Sequence, residues 1–283
     1  MIGNAIYKPK GKAGEYAKYA VNFYVGCSND CNYCYCKRGV LGHAMGAPEA
    51  KLKKCFKDYM HATDVFRREL EDNLEELRKH GLFFTFSSDP CLDETWFLTW
   101  TSVDWAVSKG VPCKILTKRA DFLTKHKLPP QWKRPEFYKK IAWGFTLTGH
   151  DELERGASTN AERIEMMRTL HEMGFKTFAS IEPVIDIESS KEMIRQTLGC
   201  CDLYKIGLMS GKREYSPNDV VRFVYGVCVE IRAYDAVHKS KTKVYWKDSV
   251  LDYIKYTREQ FNYECPPSNT EYIVGADYNL FVE

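Results

Sequence analysis

No run of about 18 apolar residues occurs in this 283-residue chain, so no segment reads as a membrane-spanning helix. Residues 1–18 are polar and lysine-bearing without an apolar core, which is not the pattern of a secretory signal. Internal repeats and low-complexity tracts are lacking too. Charge of one sign is scarce: 41 basic residues nearly cancel 38 acidic ones, and a net +3 by itself calls for no nucleic-acid partner. What is there is an ordinary globular composition, 44% hydrophobic and 28% charged, long enough for one large α/β barrel or two small domains. Cysteine stands out. Eleven thiols, an odd number, without a secretory signal are expected to stay reduced in the cytoplasm, available to iron.

Three of them crowd into Cys27-Ser28-Asn29-Asp30-Cys31-Asn32-Tyr33-Cys34, just after the apolar run at residues 20–26. Thiolates at these spacings, on one loop leaving a strand, can hold three irons of a cubane [4Fe-4S] cluster and leave the fourth iron without a protein ligand. An open metal position means chemistry, as it does at catalytic zinc. The alternative is a zinc knuckle completed by Cys36 or His43. Structural zinc sites, however, usually pair two short ligand clusters across a spacer, whereas this trio sits in one loop. Cys55, Cys91, Cys113, Cys200, Cys201, Cys228 and Cys265 are scattered and read mostly as packing residues, so a single cluster is expected.

Apolar patterning marks six strands, over 20–26, 82–86, 111–116, 141–147, 176–181 and 203–208. Helical stripes fall between them: one over 48–79, with a break expected near Thr63-Asp64 and a stop at Gly81, and one over 96–108 closed by Gly110. Capping-box patterns at Thr159 and Ser189 open two more. Parallel strands need crossovers, so the alternation predicts an α/β fold, an open six-stranded (β/α)6 partial TIM barrel over residues 20–210. Residues 1–19 read as an irregular lead-in. Residues 211–283 read as a helical and aromatic extension packing on the core, with a helix starting at Ser216-Pro217, a strand over 243–246 and a helix over 251–261. Such sheets gather chemistry at their strand C-termini, where the cysteine loop, Ser87-Ser88-Asp89, Lys118, Thr146 and Glu182 all fall.

From residue 114 to residue 140 the chain carries Lys114, Lys118, Arg119, Lys125, Lys127, Lys133, Arg134, Lys139 and Lys140 against Asp121 and Glu136, with Trp132, Phe137 and Tyr138 interleaved. Such a segment can track a phosphate backbone and stack bases. It can equally be a solvated face with a few packed aromatics.

The CxxxCxxC loop, with an aromatic residue before its last cysteine, resembles the cluster loop of the radical S-adenosylmethionine (SAM) superfamily. Further stretches are similar, in order, to its spore photoproduct lyase and DNA repair photolyase-like branch: Ser87-Ser88-Asp89-Pro90, Ile115-Leu116-Thr117-Lys118, Phe145-Thr146-Leu147-Thr148, and Leu153-Glu154-Arg155 leading to Glu162-Arg163. The resemblance implies a [4Fe-4S] cluster on Cys27, Cys31 and Cys34 with SAM on the open iron. It implies that SAM is cleaved reductively to an adenosyl radical that takes hydrogen from a substrate, nucleic acid being one candidate and a peptide or small metabolite the alternative. It also implies an electron donor such as flavodoxin or ferredoxin. By the same resemblance Tyr33 presents backbone to adenine, Ser88 meets the methionine end, Lys118 pairs with the carboxylate, Thr146 reaches the ribose or carboxylate, and the Ile181-Glu182 backbone holds adenine. Tyr35 is either a hydrogen relay or a packing aromatic. Two departures matter: Phe86 stands where the lyase has its quenching cysteine, Cys91 being the nearest thiol along the chain and the candidate catalytic donor in its place if the turn at Asp89-Pro90 folds back into the barrel mouth, and the region ahead of the cysteine loop is short. Dimer repair is therefore not expected.

Overall fold

The computed structural model describes residues 4–211, 213–256 and 272–281. Their strands, in chain order, are β1 (Ile6–Tyr7), β2 (Ala20–Val21), β3 (Tyr24–Val25), β4 (Lys51–Leu52), β5 (Leu82–Phe84), β6 (Cys113–Thr117), β7 (Ile141–Thr146), β8 (Lys176–Val184), β9 (Leu203–Leu208) and β10 (Lys243–Trp246). Eight form one sheet in the order β1-β2-β5-β6-β7-β8-β9-β10. Only the β1 edge is antiparallel; every pair from β2 to β10 is parallel. β7 and β9 are buried along their whole length, as strands of a parallel sheet covered on both faces should be.

The sheet curls around one residue from the lead-in. In a flat sheet β5 and β10 would stand about 24 Å apart at about 4.8 Å per strand. Yet the Tyr16 ring lies 5.5 Å from the ring of Phe83 on β5 and 4.4 Å from the ammonium of Lys247, just past β10. Tyr16 packs on this inner face with Ala20, Phe83, Ala142, Phe178 and Tyr245, and the larger core lies on the other face, under the helices.

Several expectations change. The parallel strands number seven rather than six, because β10 pairs with β9 and carries the sheet past residue 210. The lead-in is not irregular throughout, since Ile6–Tyr7 pairs with β2. The stripe over 48–79 contains β4 and two helices, Tyr59–Asp72 and Leu74–His80. They part at Asn73, whose side-chain amide turns back to the Glu69 carbonyl at 2.7 Å. Thr63 does not break the helix, because its hydroxyl donates to the Tyr59 carbonyl one turn back, at 2.9 Å. The helix Ile187–Thr197 opens at Asp186 rather than Ser189: the Asp186 carboxylate accepts from the Ser189 N–H at 2.8 Å, and an anion suits a helix N-terminus. The last helix is Asp248–Ile254; the rest of the one expected to reach Phe261, like Cys265, lies outside the described residues. No described helix is long and apolar enough to cross a membrane.

Gly144, mid-β7, leaves no room for a side chain. A Cβ there would stand 2.1 Å from the ring of Phe178. Gly144→Ala is expected to cost about 1–3 kcal/mol, the usual range for overpacking, seen as a lower urea midpoint. Adding Phe178→Leu should restore part of it.

Candidate active site

The cysteine loop does not leave the main sheet directly. After β2 the chain enters the small β3–β4 ribbon, and Gly26, at φ +84°, passes so close to the Glu49 carbonyl that a Cβ would meet it at 2.1 Å. The Cys27 N–H then donates to the Ala47 carbonyl at 3.0 Å. Two other segments clamp the loop. Asp89, buried after β5, accepts from Asn29 Nδ2 (2.8 Å), Lys118 N (2.7 Å), Cys91 N (2.9 Å) and Thr117 Oγ1 (2.6 Å), tying the loop to the ends of β5 and β6. The turn after β7 supplies Asn32 N to Leu153 O at 2.8 Å, Gly156 N to Asn29 O at 3.1 Å, and a bridge between Cys31 and Glu154.

Glu154 anchors that turn. Its carboxylate forms a wholly buried ion pair with Arg163 at 2.5 Å and accepts the Tyr33 hydroxyl, while a second Arg163 nitrogen donates to the Thr146 carbonyl at 2.6 Å. A buried pair of this kind holds only if its remaining hydrogen bonds are met, and here they reach Tyr33 in the loop and the end of β7. The Glu154 and Arg163 stretches carry the family resemblance, but their pairing across nine residues had no signal in a single sequence.

A cavity of about 520 Å3 opens at the C-terminal ends of the strands. Cys27, Cys31, Cys34, Tyr33, Tyr35, Ser88, Lys118, Thr146 and Glu182 all line it; Cys91 does not. Cys91 is buried in the core under the helices, its N–H held by Asp89, so the turn at Asp89-Pro90 carries it behind the sheet rather than into the mouth. A fourth thiol on the lining, Cys36, touches the Phe86 carbonyl at 3.9 Å. The Tyr35 hydroxyl donates to that same carbonyl. Glu182 lies within β8, not beyond it, and its carboxylate accepts from Tyr16 (2.6 Å) and Lys247 (2.8 Å). Gly207 makes room for this pair: a Cβ would meet Glu182 Oε1 at 2.8 Å. Tyr16 and Lys247 were not legible as site residues, since both lie outside the periodic stretches.

Electrostatics separate the thiols. Burial pushes Cys27 up to about 12 and raises Cys31 as well, whereas the hydrogen bond from Cys36 lowers Cys34. For Lys118 burial acts downward, but the negative charge of Cys31 and Glu154 outweighs it and the net shift is upward. Its ammonium lies 5.6 Å from the Tyr33 ring centre, and no described carboxylate stands within ion-pair distance of it. On the same wall the Ser88 hydroxyl and Asn29 Oδ1 are buried without hydrogen-bond partners. The wall thus offers an unpaired cation and free polar atoms to a ligand with a carboxylate and polar groups. Among the described residues no three Cys, His, Asp or Glu side chains converge on one ion. His43, named as a ligand in the zinc alternative, is exposed and does not line the cavity. Thiols that each take a different iron of a cubane need no such convergence.

The basic segment does not form one track. Lys114 is in register with Phe83 and Ala142 on the inner face, where burial pushes it down to about 8. Arg119 pairs with Asp121 at 2.6 Å, and Lys125 with Asp121 at 2.8 Å. Trp132 is fully buried with its indole N–H on Asp104 at 3.0 Å, and Phe137 and Tyr138 pack on the core. Phe137 and Tyr138 keep part of their rings exposed.

His150, at the start of the turn that carries Glu154, meets Glu152 at 2.7 Å through one ring nitrogen and Asp186 through the other. Burial lowers its pKa, but the two carboxylate hydrogen bonds prevail and raise it above 6.5. A raised folded pKa stabilises fully below the unfolded value of about 6.5 and loses that contribution as pH climbs through the folded one. The melting-temperature gap between wild type and His150→Asn should therefore be widest at about pH 6 and close in alkali. A gap independent of pH would contradict it.

Comparison with known proteins adds the following. No family model matches the chain. MJ0683, an uncharacterised protein of Methanocaldococcus jannaschii, is 23% identical over 197 residues, 66% of this chain and 69% of that protein. In fold the chain is similar to Streptococcus suis SuiB bound to S-adenosylmethionine, with a TM-score of 0.54 and 12% identity over 84% of this chain and 52% of that one. A second SuiB structure gives 0.51 and 12% over 79% and 47%. The chain spans about half the length of SuiB, and the likeness is one of fold. Fold and site together define an α/β protein with a mostly parallel, curled sheet and a thiol-headed cavity at its strand ends.

Proposed function

We propose that this chain is a radical SAM enzyme of the spore photoproduct lyase-like branch, acting through a [4Fe-4S] cluster on Cys27, Cys31 and Cys34. The observation that carries it is a single cavity wall bearing three thiols of one loop, an unpaired Lys118 ammonium and an unpartnered Ser88 hydroxyl. The fold it shares with SAM-bound SuiB supports the same reading. When bound, the cluster supplies the electron that cleaves SAM to 5′-deoxyadenosine by way of a radical that takes hydrogen from a substrate. The chain's own work is positional. Lys118 pairs with the SAM carboxylate, Ser88 bonds its methionine end, Thr146 and the backbone at Tyr33 and Ile181-Glu182 hold its nucleoside, and the Glu154 clamp fixes the loop. Anaerobic reconstitution with SAM and dithionite tests this: 5′-deoxyadenosine is the expected product, and none from an iron-loaded protein would refute the reading.

Dimer repair is not part of the proposal. Phe86 occupies the place of the lyase's quenching thiol, stacked on Phe83 at 4.4 Å, and Cys91 is behind the sheet. Wild type given a dinucleotide spore photoproduct is expected to yield no clean thymine product. Clean conversion, lost in Cys36→Ala, would overturn this and name Cys36 as the donor.

A further inference from the structure

We propose that the substrate is anionic and that Lys10, Lys12 and Arg38, at the cavity mouth, receive its oxyanion, a phosphate or a carboxylate. The proposal rests on the SAM reading for what fills the other half of the cavity.

Charge around the cavity is unbalanced. Three carboxylates of the described residues line the cavity, and each is engaged: Asp89 by four donors, Asp30 by Lys37, Glu182 by Lys247 and Tyr16. The lining cations left without a described carboxylate in ion-pair range are Lys118, Lys10, Lys12 and Arg38. SAM brings one carboxylate, which Lys118 takes; three lining cations remain. Surface lysines are ordinarily solvated and carry no message, but Lys10 and Lys12 belong to a fixed strap, and Arg38 sits just beyond the cysteine loop at the start of the helix Gly39–Met45. Lys247 holds the Lys12 carbonyl at 3.2 Å, and Lys205 holds those of Glu15 (2.9 Å) and Tyr16 (3.3 Å). Lys12's own ammonium rests on the Ser210 hydroxyl at 2.7 Å, a neutral partner that leaves its charge uncompensated. One-signed charge around a low-dielectric cleft focuses potential on an incoming anion, and the planar guanidinium of Arg38 suits the paired oxygens of phosphate or carboxylate.

The test uses the reconstituted protein saturated with SAM. Inorganic pyrophosphate and tricarballylate are titrated calorimetrically into wild type, into Lys10→Gln/Lys12→Gln/Arg38→Gln, and into a Lys133→Gln/Arg134→Gln control. Wild type should bind at least one probe, the triple variant about tenfold or more weakly, and the control like wild type. SAM affinity should be equal in all three. Preference for pyrophosphate assigns a phosphate, preference for tricarballylate a carboxylate. If the triple variant proves unstable, Arg38→Gln alone should show the same loss on a smaller scale. Failure of wild type to bind either probe, or equal affinity in wild type and variants, would overturn the proposal. Failure of wild type to bind SAM in a separate titration would strike the underlying reading instead.

Discussion

Arg163→Ala is expected to lower the unfolding free energy by about 3–5 kcal/mol, because it strands a buried carboxylate rather than merely deleting a contact. Glu154 and Arg163 are both without solvent exposure, and the variant would also leave the Thr146 carbonyl without its donor. Urea denaturation measures the loss. Glu154→Leu/Arg163→Met should recover most of it, since removing both charges removes the unpaired one. The exposed pair Arg195–Glu230, at 2.7 Å, is the control and should give about 0–1 kcal/mol on the same treatment. If Arg163→Ala behaves like that control, the clamp on the cysteine loop is not what holds it.

Lys118→Ala is expected to weaken SAM binding by about 1.5–3 kcal/mol, the range for a hydrogen bond to a charged group, or roughly ten- to a hundredfold in affinity. The ammonium is half-buried, has no described carboxylate of its own and sits beside Cys31. Titration calorimetry on the reconstituted variant reads it. Equal affinities would remove Lys118 from the site while leaving the cluster assignment standing.

What could be read from sequence was what is local. Three thiols within eight residues, the Thr159 capping box and the parallel alternation need only neighbours along the chain, and the capping box is formed with both its hydrogen bonds. Long-range partners were illegible. Tyr33 meets Glu154 across 121 residues and Tyr16 meets Glu182 across 166, and nothing in their own surroundings marks them. The basic segment shows the same limit: counting charges along the chain could not show that Lys114 faces inward or that Trp132 is core. Nearness in sequence to Phe86 singled out Cys91, but it is Cys36 that lines the cavity.

The claim on which all of this turns is that Cys27, Cys31 and Cys34 hold one [4Fe-4S] cluster with an iron open to SAM. Iron and sulfide analysis of the anaerobically reconstituted protein, with electron paramagnetic resonance of the reduced form before and after SAM, tests it directly. Wild type should hold a single cluster whose signal changes when SAM is added, and the triple alanine variant should hold none. Tetrahedral zinc in the wild type, a full cluster in the triple variant, or a signal indifferent to SAM would contradict it.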